Sequence, residues 1–220
     1  MDNALQQHSF LDSYIRAEYI AFEKTCSAFY PQNNLAYTKR SIELLNEAVK
    51  IQPNYTRFWL YLGTLTTTLA NNEDDPATQK NLIMQADNYL QKALQLAPKH
   101  QEIYTAEAQL QIVAENYKSA ENYSQKCISI NPALGDCYWY LALSETYLKD
   151  SVAAEKDMQT AGNKGYNINS ESSLDDLVNA YGKILDYRSL VPVLEKLVAI
   201  NPNNTQYKSL LSEVNKKLGK

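Results

Sequence analysis

Four apolar runs in this chain are each closed by a proline: AVKIQP at Pro53, ALQLAP at Pro98, CISINP at Pro132 and VAINP at Pro202. Pro98 to Pro132 spans 34 residues and Pro132 to Pro202 spans 70, close to two further steps of the same length. A period of that size means one supersecondary unit repeated, each copy burying its apolar face against the next. Within a unit the apolar spacing is helical. Ala106, Leu110 and Val113 lie three and four residues apart, and Ala120, Tyr123, Cys127 and Ile130 resume the pattern after a break. Asn116 stands at that break where a helix N-cap is wanted, and Asp150 and Asp186 occupy the equivalent place later. Each unit therefore reads as helix, short turn, helix, proline stop.

Composition agrees with this. Only 6 of 220 residues are glycine, against a usual share of about 7%. Doubly wound nucleotide binders, propellers and hairpin-rich barrels are poorly supplied with corners. The apolar stretch from Leu190 to Ile200 contains Glu195 and Lys196 and is far below the roughly 20 residues of a membrane span. With 25 acids against 21 bases, the net charge of −4 disfavours nucleic acid as a partner. Met1 to Phe10 lacks the basic and apolar regions of a secretory signal. The three cysteines, Cys26, Cys127 and Cys137, are odd in number, lack metal spacing and read as buried structural thiols.

The repeat resembles the tetratricopeptide family, whose first helix carries an aromatic and a Leu-Gly or Leu-Ala pair and whose second carries Ala, a bulky residue, Ala and Pro. Trp59, Leu62, Gly63, Ala86, Leu90, Ala93 and Pro98 match one unit. Tyr104, Ala108, Ala120 and Pro132 match the next, with Glu107 and Ser124 replacing large apolar residues. The third has Tyr138, Leu141, Ala142, Ala154, Met158 and Ala161 and ends in Gly165-Tyr166 instead of proline; the fourth has Leu174, Leu177, Tyr181, Leu197 and Pro202. The resemblance implies an all-α, right-handed superhelical solenoid of about five helix pairs and about eleven helices, with no separable domains. Its units would cover 9–53, 54–98, 99–132, 133–166 and 167–202, with a polar-faced capping helix at 204–218. The first unit is irregular, with a helix around 13–29. The 23 residues from Gly63 to Ala86 exceed the usual spacing, so NNEDDPATQ is expected to add a loop before Asp75 and Pro76 restart a helix. Pro192, with Ser189 as N-cap, is expected in the first turn of its helix.

Catalytic constellations are not apparent. His8 and His100 have no nearby ligand set, no glycine-rich phosphate loop or Gly-flanked serine occurs, and Asp175 and Asp176 diverge by about 100° as helix neighbours. The chain reads as a non-enzyme without cofactor or metal, acting as an interaction scaffold. In the resembling family, the first helix of each unit lines the concave face. Counting each unit's aromatic, or Leu174 in the fourth, as position four, positions two, five, six and nine give Arg57, Leu60, Tyr61 and Thr64; Glu102, Thr105, Ala106 and Gln109; Asp136, Trp139, Tyr140 and Leu143; and Ser172, Asp175, Asp176 and Asn179. Of these, Arg57, Tyr61, Glu102, Gln109, Asp136, Trp139, Tyr140, Asp176 and Asn179 are the candidate partner-binding residues. The four acids and one base make the groove mildly acidic, which suits a neutral or basic protein or peptide. Only Arg57 and Asn179 match the Lys, Arg and Asn with which chaperone-binding relatives grip a terminal carboxylate. Tyr61, Trp139 and Tyr140 could stack on a sugar or receive a cation, and Trp139→Ala or Tyr140→Ala is expected to weaken binding with little loss of helicity.

PNYTRFWLYLG, GDCYWYLAL and KGYNIN further resemble the repeat-bearing tail of bacterial O-antigen ligase or polymerase-type membrane proteins. That resemblance implies an extracytoplasmic accessory module contacting glycan or a partner enzyme. Unpaired cysteines and the absent export signal imply instead a cytoplasmic interaction solenoid.

Overall fold

The computed structural model describes residues 34–219. Among them the regular structure is wholly α-helical, as expected: α1 (Asn34–Ile51), α2 (Thr56–Asn71), α3 (Pro76–Leu96), α4 (Gln101–Val113), α5 (Tyr117–Ile130), α6 (Gly135–Tyr147), α7 (Ser151–Asn163), α8 (Glu171–Ile184), α9 (Tyr187–Ile200) and α10 (Thr205–Lys217). The helix expected around 13–29, His8 and Cys26 lie outside the described residues. Packing divides the chain between Glu115 and Asn116 into two compact units. The first holds α1 to α4 and the second α5 to α10.

In the first unit α2 packs on α1, α3 and α4. Leu45, Ala48 and Val49 of α1 meet Phe58 and Leu62 of α2, while Leu60 of α2 joins Ala86, Leu90 and Ala93 of α3 and Ile103, Ala106 and Leu110 of α4. Small residues set the closeness of approach. A Cβ on Gly63 would fall within 2.5 Å of Leu90 Cγ, so glycine here is the slot into which Leu90 fits. In the second unit α6 contacts α5, α7 and α8, and α9 lies between α8 and the capping helix α10.

The proline that closes one pair and the aromatic that opens the next are joined by a hydrogen bond. Trp59 Nε1 donates to the Pro53 carbonyl at 2.7 Å, Tyr104 Oη to Pro98 at 2.7 Å and Tyr138 Oη to Pro132 at 3.3 Å. Proline supplies the stop, and the ring six residues on satisfies the carbonyl that the stop leaves over. The equivalent place before α8 has Ile168 and Leu174, so proline and donor are missing together.

Three local expectations are corrected. The residues inserted between Gly63 and Ala86 do not make a long loop; they lengthen α2 to 16 and α3 to 21 residues, against 13 and 14 for α4 and α5. Asp75 then caps α3, its Oδ2 accepting from the Thr78 amide at 2.8 Å and the Thr78 hydroxyl at 2.6 Å, with Pro76 in the first turn. Pro192 lies in the second turn of α9, because the cap is Asp186, which accepts from the Ser189 amide and hydroxyl. The cysteines are not all unpaired: Cys127 in the last turn of α5 and Cys137 in the first turn of α6 form a disulfide. The cytoplasmic reading loses that premise.

Candidate functional site

The first helices of successive pairs are α2, α4, α6 and α8, and the candidate residues fall on them as the repeat register requires. In the first unit Arg57 and Glu102 are exposed, Tyr61 retains 40% of its surface and Gln109 is half-buried. Leu60 and Ala106, on the same face by count, belong to the core. Thr64 and Thr105 turn their hydroxyls back to the Leu60 and Glu102 carbonyls. This face carries separated side chains over an apolar floor.

The second unit gathers its residues. Trp139 of α6 is fully buried, stacked on Tyr166 with ring centroids 5.0 Å apart, and its indole N–H donates to Asp176 Oδ2 of α8 at 3.2 Å. Its faces are therefore not the open platform expected for a sugar ring, and its substitution removes core. Asp136 and Tyr140 are half-buried beside it, Leu143 is core and Asn179 is exposed. Tyr166 comes from the turn after α7, where sequence analysis found Gly165-Tyr166 in place of proline. Gly165 takes a φ of +87° and Gly135 leaves room for the incoming segment, since a Cβ there would lie 2.9 Å from the Ala161 carbonyl and 3.0 Å from Tyr166 Cβ. A second contact ties α8 to α10: Tyr207 Oη donates to Asp175 Oδ1 at 3.0 Å and lies 3.1 Å from Glu171 Oε1.

Burial sets the protonation of this cluster. It pushes Asp176 up to about 6, against the lowering effect of the Trp139 indole and with the charge of Asp175 adding. It raises Asp175 as well, which the Tyr207 hydroxyl opposes and Glu171 reinforces. Burial also carries Tyr166 up to about 12 and holds the Tyr140 phenol above its ordinary value, with Asp136 and Asp176 acting in the same direction on both. Asp136, Glu171, Asp175 and Asp176 each raise one or more of their neighbours in this group. Such a site holds its protons more tightly than free carboxylates do, and a cation brought against it would displace them. Sequence counting found Asp136, Tyr140, Asp175 and Asp176. It missed Tyr166, Tyr207 and Glu171, which reach the face from a turn, from the cap and from the start of α8. The one available signal was the lost proline before α8.

Elsewhere in this unit a cleft of about 660 Å³ is lined by Met158, Tyr181, Ile184, Leu185, Pro192 and Val193 among others. It takes most of its wall from second helices and helix ends, apart from the acidic cluster. Among the described residues, no three His, Cys, Asp or Glu side chains converge as a metal set, and no helix is long and apolar enough to cross a membrane.

A tetratricopeptide repeat family model matches residues 101–134. No curated protein matches the chain by sequence. Among solved structures, the chain resembles a thermophilic TPR protein of Thermus thermophilus with a TM-score of 0.66 and 11% identity, over 90% of this chain and 98% of that one. It also resembles a tetratricopeptide repeat protein from Parabacteroides merdae with a TM-score of 0.54 and 15% identity, over 93% and 73% of the two chains. A chain of the APC/C Cut9–Hcn1 hetero-tetramer aligns with a TM-score of 0.59 and 15% identity, over 97% of this chain and 44% of its own length. At these identities the likeness speaks for fold. The chain therefore carries a tetratricopeptide repeat at 101–134 within an all-helical fold shared with tetratricopeptide repeat structures.

Proposed function

We propose that the chain is a non-catalytic interaction scaffold and that the face formed by α6, α8 and α10 binds a protein segment through a basic side chain. The observation that carries this reading is a pair of adjoining contacts on α8, Trp139 to Asp176 and Tyr207 to Asp175 and Glu171, with burial raising both aspartates and Asp136 acting on Tyr140 and Tyr166 from α6. A lysine or arginine placed there gains paired charge in a partly desolvated setting and the faces of tyrosine rings. Arg57, Tyr61, Glu102 and Gln109 of the first unit are separated side chains and make, by themselves, a weaker surface for the same class of partner.

Calorimetric titration of the full chain with matched peptides tests this. One set carries a central Lys or Arg among apolar residues and the other replaces it with Glu or ends in several acids. The basic set is expected to bind at least tenfold more tightly, with Asp176→Asn and Asp136→Asn each removing most of that preference. Micromolar affinity for the acid-ended peptides, or unchanged affinity in both variants, would sink the reading. Because Asp176 titrates near 6, affinity for the basic peptide is expected to rise as pH goes from 5 to 7.

A further inference from the structure

The two helices that flank the Pro132 turn are joined covalently. Cys127 and Cys137 are both fully buried, their Cα atoms are 5.6 Å apart and their sulfurs are bonded. The Cα separation lies inside the range that a disulfide spans without moving backbone. Neither position asks for cysteine on packing grounds alone. In the neighbouring pair, the residues that correspond to Cys127 and Cys137 by repeat register are Ala93 and Ile103, both buried in the apolar core that α3 and α4 share. Here two thiols replace the alanine and the isoleucine at once, facing each other across the same kind of turn.

We propose that Cys127–Cys137 is a structural disulfide of the working protein, that the chain therefore acts in an oxidising compartment, and that its partner is exposed to that compartment. Disulfides form and persist where thiols are not held reduced. Formation proceeds by exchange with a disulfide-bearing oxidant. A thiolate from one cysteine attacks the oxidant's disulfide and expels one of its sulfurs as thiolate. The second cysteine, as thiolate, then displaces the other. The two cysteines give up two electrons and two protons in total, and the oxidant leaves as a dithiol. Full burial protects the finished bond, because an attacking thiolate reaches it only after local opening.

The bond also acts on the face described above. Cys137 lies between Asp136 and Trp139 in the first turn and a half of α6, so the clip fixes the end of the helix that presents them. The disulfide stands independently of that face, since thiol state is read by mass and partner binding by titration.

The test is thiol trapping in the native host, with an alkylating agent present at lysis. No Lys or Arg lies between Cys127 and Lys149, so trypsin leaves both cysteines in the peptide 127–149. That peptide is expected unalkylated and two hydrogens lighter than its reduced form, and cleavage before Asp136 should leave the two halves joined until reductant is added. Recovery of the peptide with both cysteines alkylated would overturn the proposal. As a second readout, the full wild-type chain unfolded in reductant, so that the buried bond is opened, and refolded in it is expected to melt roughly 5–10 °C below the oxidised chain. The double variant Cys127→Ala, Cys137→Ala should melt at one temperature with or without reductant. Equal melting temperatures for the oxidised chain and the chain reduced in the unfolded state would refute the structural role.

Discussion

The first helices of the pairs in the two units use the same repeat positions for opposite ends. In the first unit Arg57, Tyr61 and Glu102 stand apart in solvent above a floor of Leu60 and Ala106. In the second, Trp139 is held between Tyr166 and Asp176, and the adjoining Asp175 is held by Tyr207. The scaffold is the same, so the difference lies in what each turn delivers. A proline stop followed by a hydrogen-bonding ring closes the turns before α2, α4 and α6. Before α8 both are absent, and the chain between α7 and α8 sends Tyr166 over Trp139 instead. Loss of one stop signal thus makes room for a polar cluster without altering the helices that frame it.

The largest way to break this comparison is through its two principal aromatics. Trp139 is fully buried, stacked and hydrogen-bonded, so Trp139→Ala is expected to cost about 3–5 kcal/mol in chemical denaturation. Tyr61 keeps 40% of its surface, and Tyr61→Ala should cost less than about 1 kcal/mol. Equal losses would mean that the two faces are not differently built.

Buried acids give the next contrast. Glu107 of α4 is fully enclosed, accepts from Gln91 Nε2 at 2.8 Å through Oε1 and has no partner at Oε2; burial, with Asp87 adding, lifts it to about 8. The unfolded chain releases that proton near 4.5, so between 4.5 and 8 the folded state binds more protons and stability falls as pH rises. The contribution is whole below 4.5 and gone above 8. In the second unit the corresponding windows close earlier, at about 7 for Glu145 and about 6 for Asp176, both raised chiefly by burial. Unfolding free energies from pH 5 to 8 are expected to drop by on the order of 2–4 kcal/mol overall. Glu107→Gln should flatten the part above pH 7, whereas Asp176→Asn should alter only the part below it. A Glu107→Gln profile parallel to wild type would remove Glu107 from this explanation.

The helical framework was legible in advance because it rests on local chemistry repeated many times. Asp150 and Asp186 cap α7 and α9 with their carboxylates, Asp75 and Pro76 start α3, and Asn204 caps α10. Half of the proposed acidic face was countable in advance, since Asp136, Tyr140, Asp175 and Asp176 follow from position along a helix. The rest depends on contacts that no period encodes. Tyr166 reaches Trp139 across 27 residues of chain and Tyr207 reaches Asp175 across 32. The disulfide was hidden for a different reason: an odd cysteine count conceals one pair as readily as none. The long insertion was misread because NNEDDPATQ contains good turn residues, yet Thr67 and Thr68 return their hydroxyls to helix carbonyls and Asp75 restarts the helix at once.

Glycine substitutions sharpen the comparison at smaller amplitude, because the same chemical change should have opposite signs in the two units. A Cβ at Gly63 would meet Leu90 Cδ2 at 2.4 Å and Cγ at 2.5 Å, in a contact where Ala86 and Ala93 are both fully buried and α2 cannot easily retreat. Gly63→Ala is expected to destabilise by about 1–3 kcal/mol as Leu90 leaves its rotamer or the helices separate. Gly182 lies near the end of α8 with nothing within 4 Å of its added Cβ. There alanine restricts the unfolded chain and improves helix propensity without a clash, so Gly182→Ala should stabilise by about 0.5–1 kcal/mol.

Leu185 closes α8 just beyond that glycine, at a φ of +62° with 66% of its surface exposed. The Leu185 and Asp186 amides donate to the Gly182 and Tyr181 carbonyls, at 3.2 and 2.9 Å, so the turn is a left-handed helix stop that glycine or asparagine would normally occupy. Leucine there bears the steric cost of its Cβ and gains little burial in return. Leu185→Asn is accordingly expected to stabilise the second unit by about 0.5 kcal/mol in denaturant titration, the smallest of these effects. The stop itself should survive, because its hydrogen bonds come from backbone amides that the substitution leaves in place. A loss of stability would instead mean that the Leu185 side chain holds the cleft lined by Ile184 and Val193 together, and that this second-unit turn, like the one that delivers Tyr166, contributes a side chain to its surroundings as well as a change of direction.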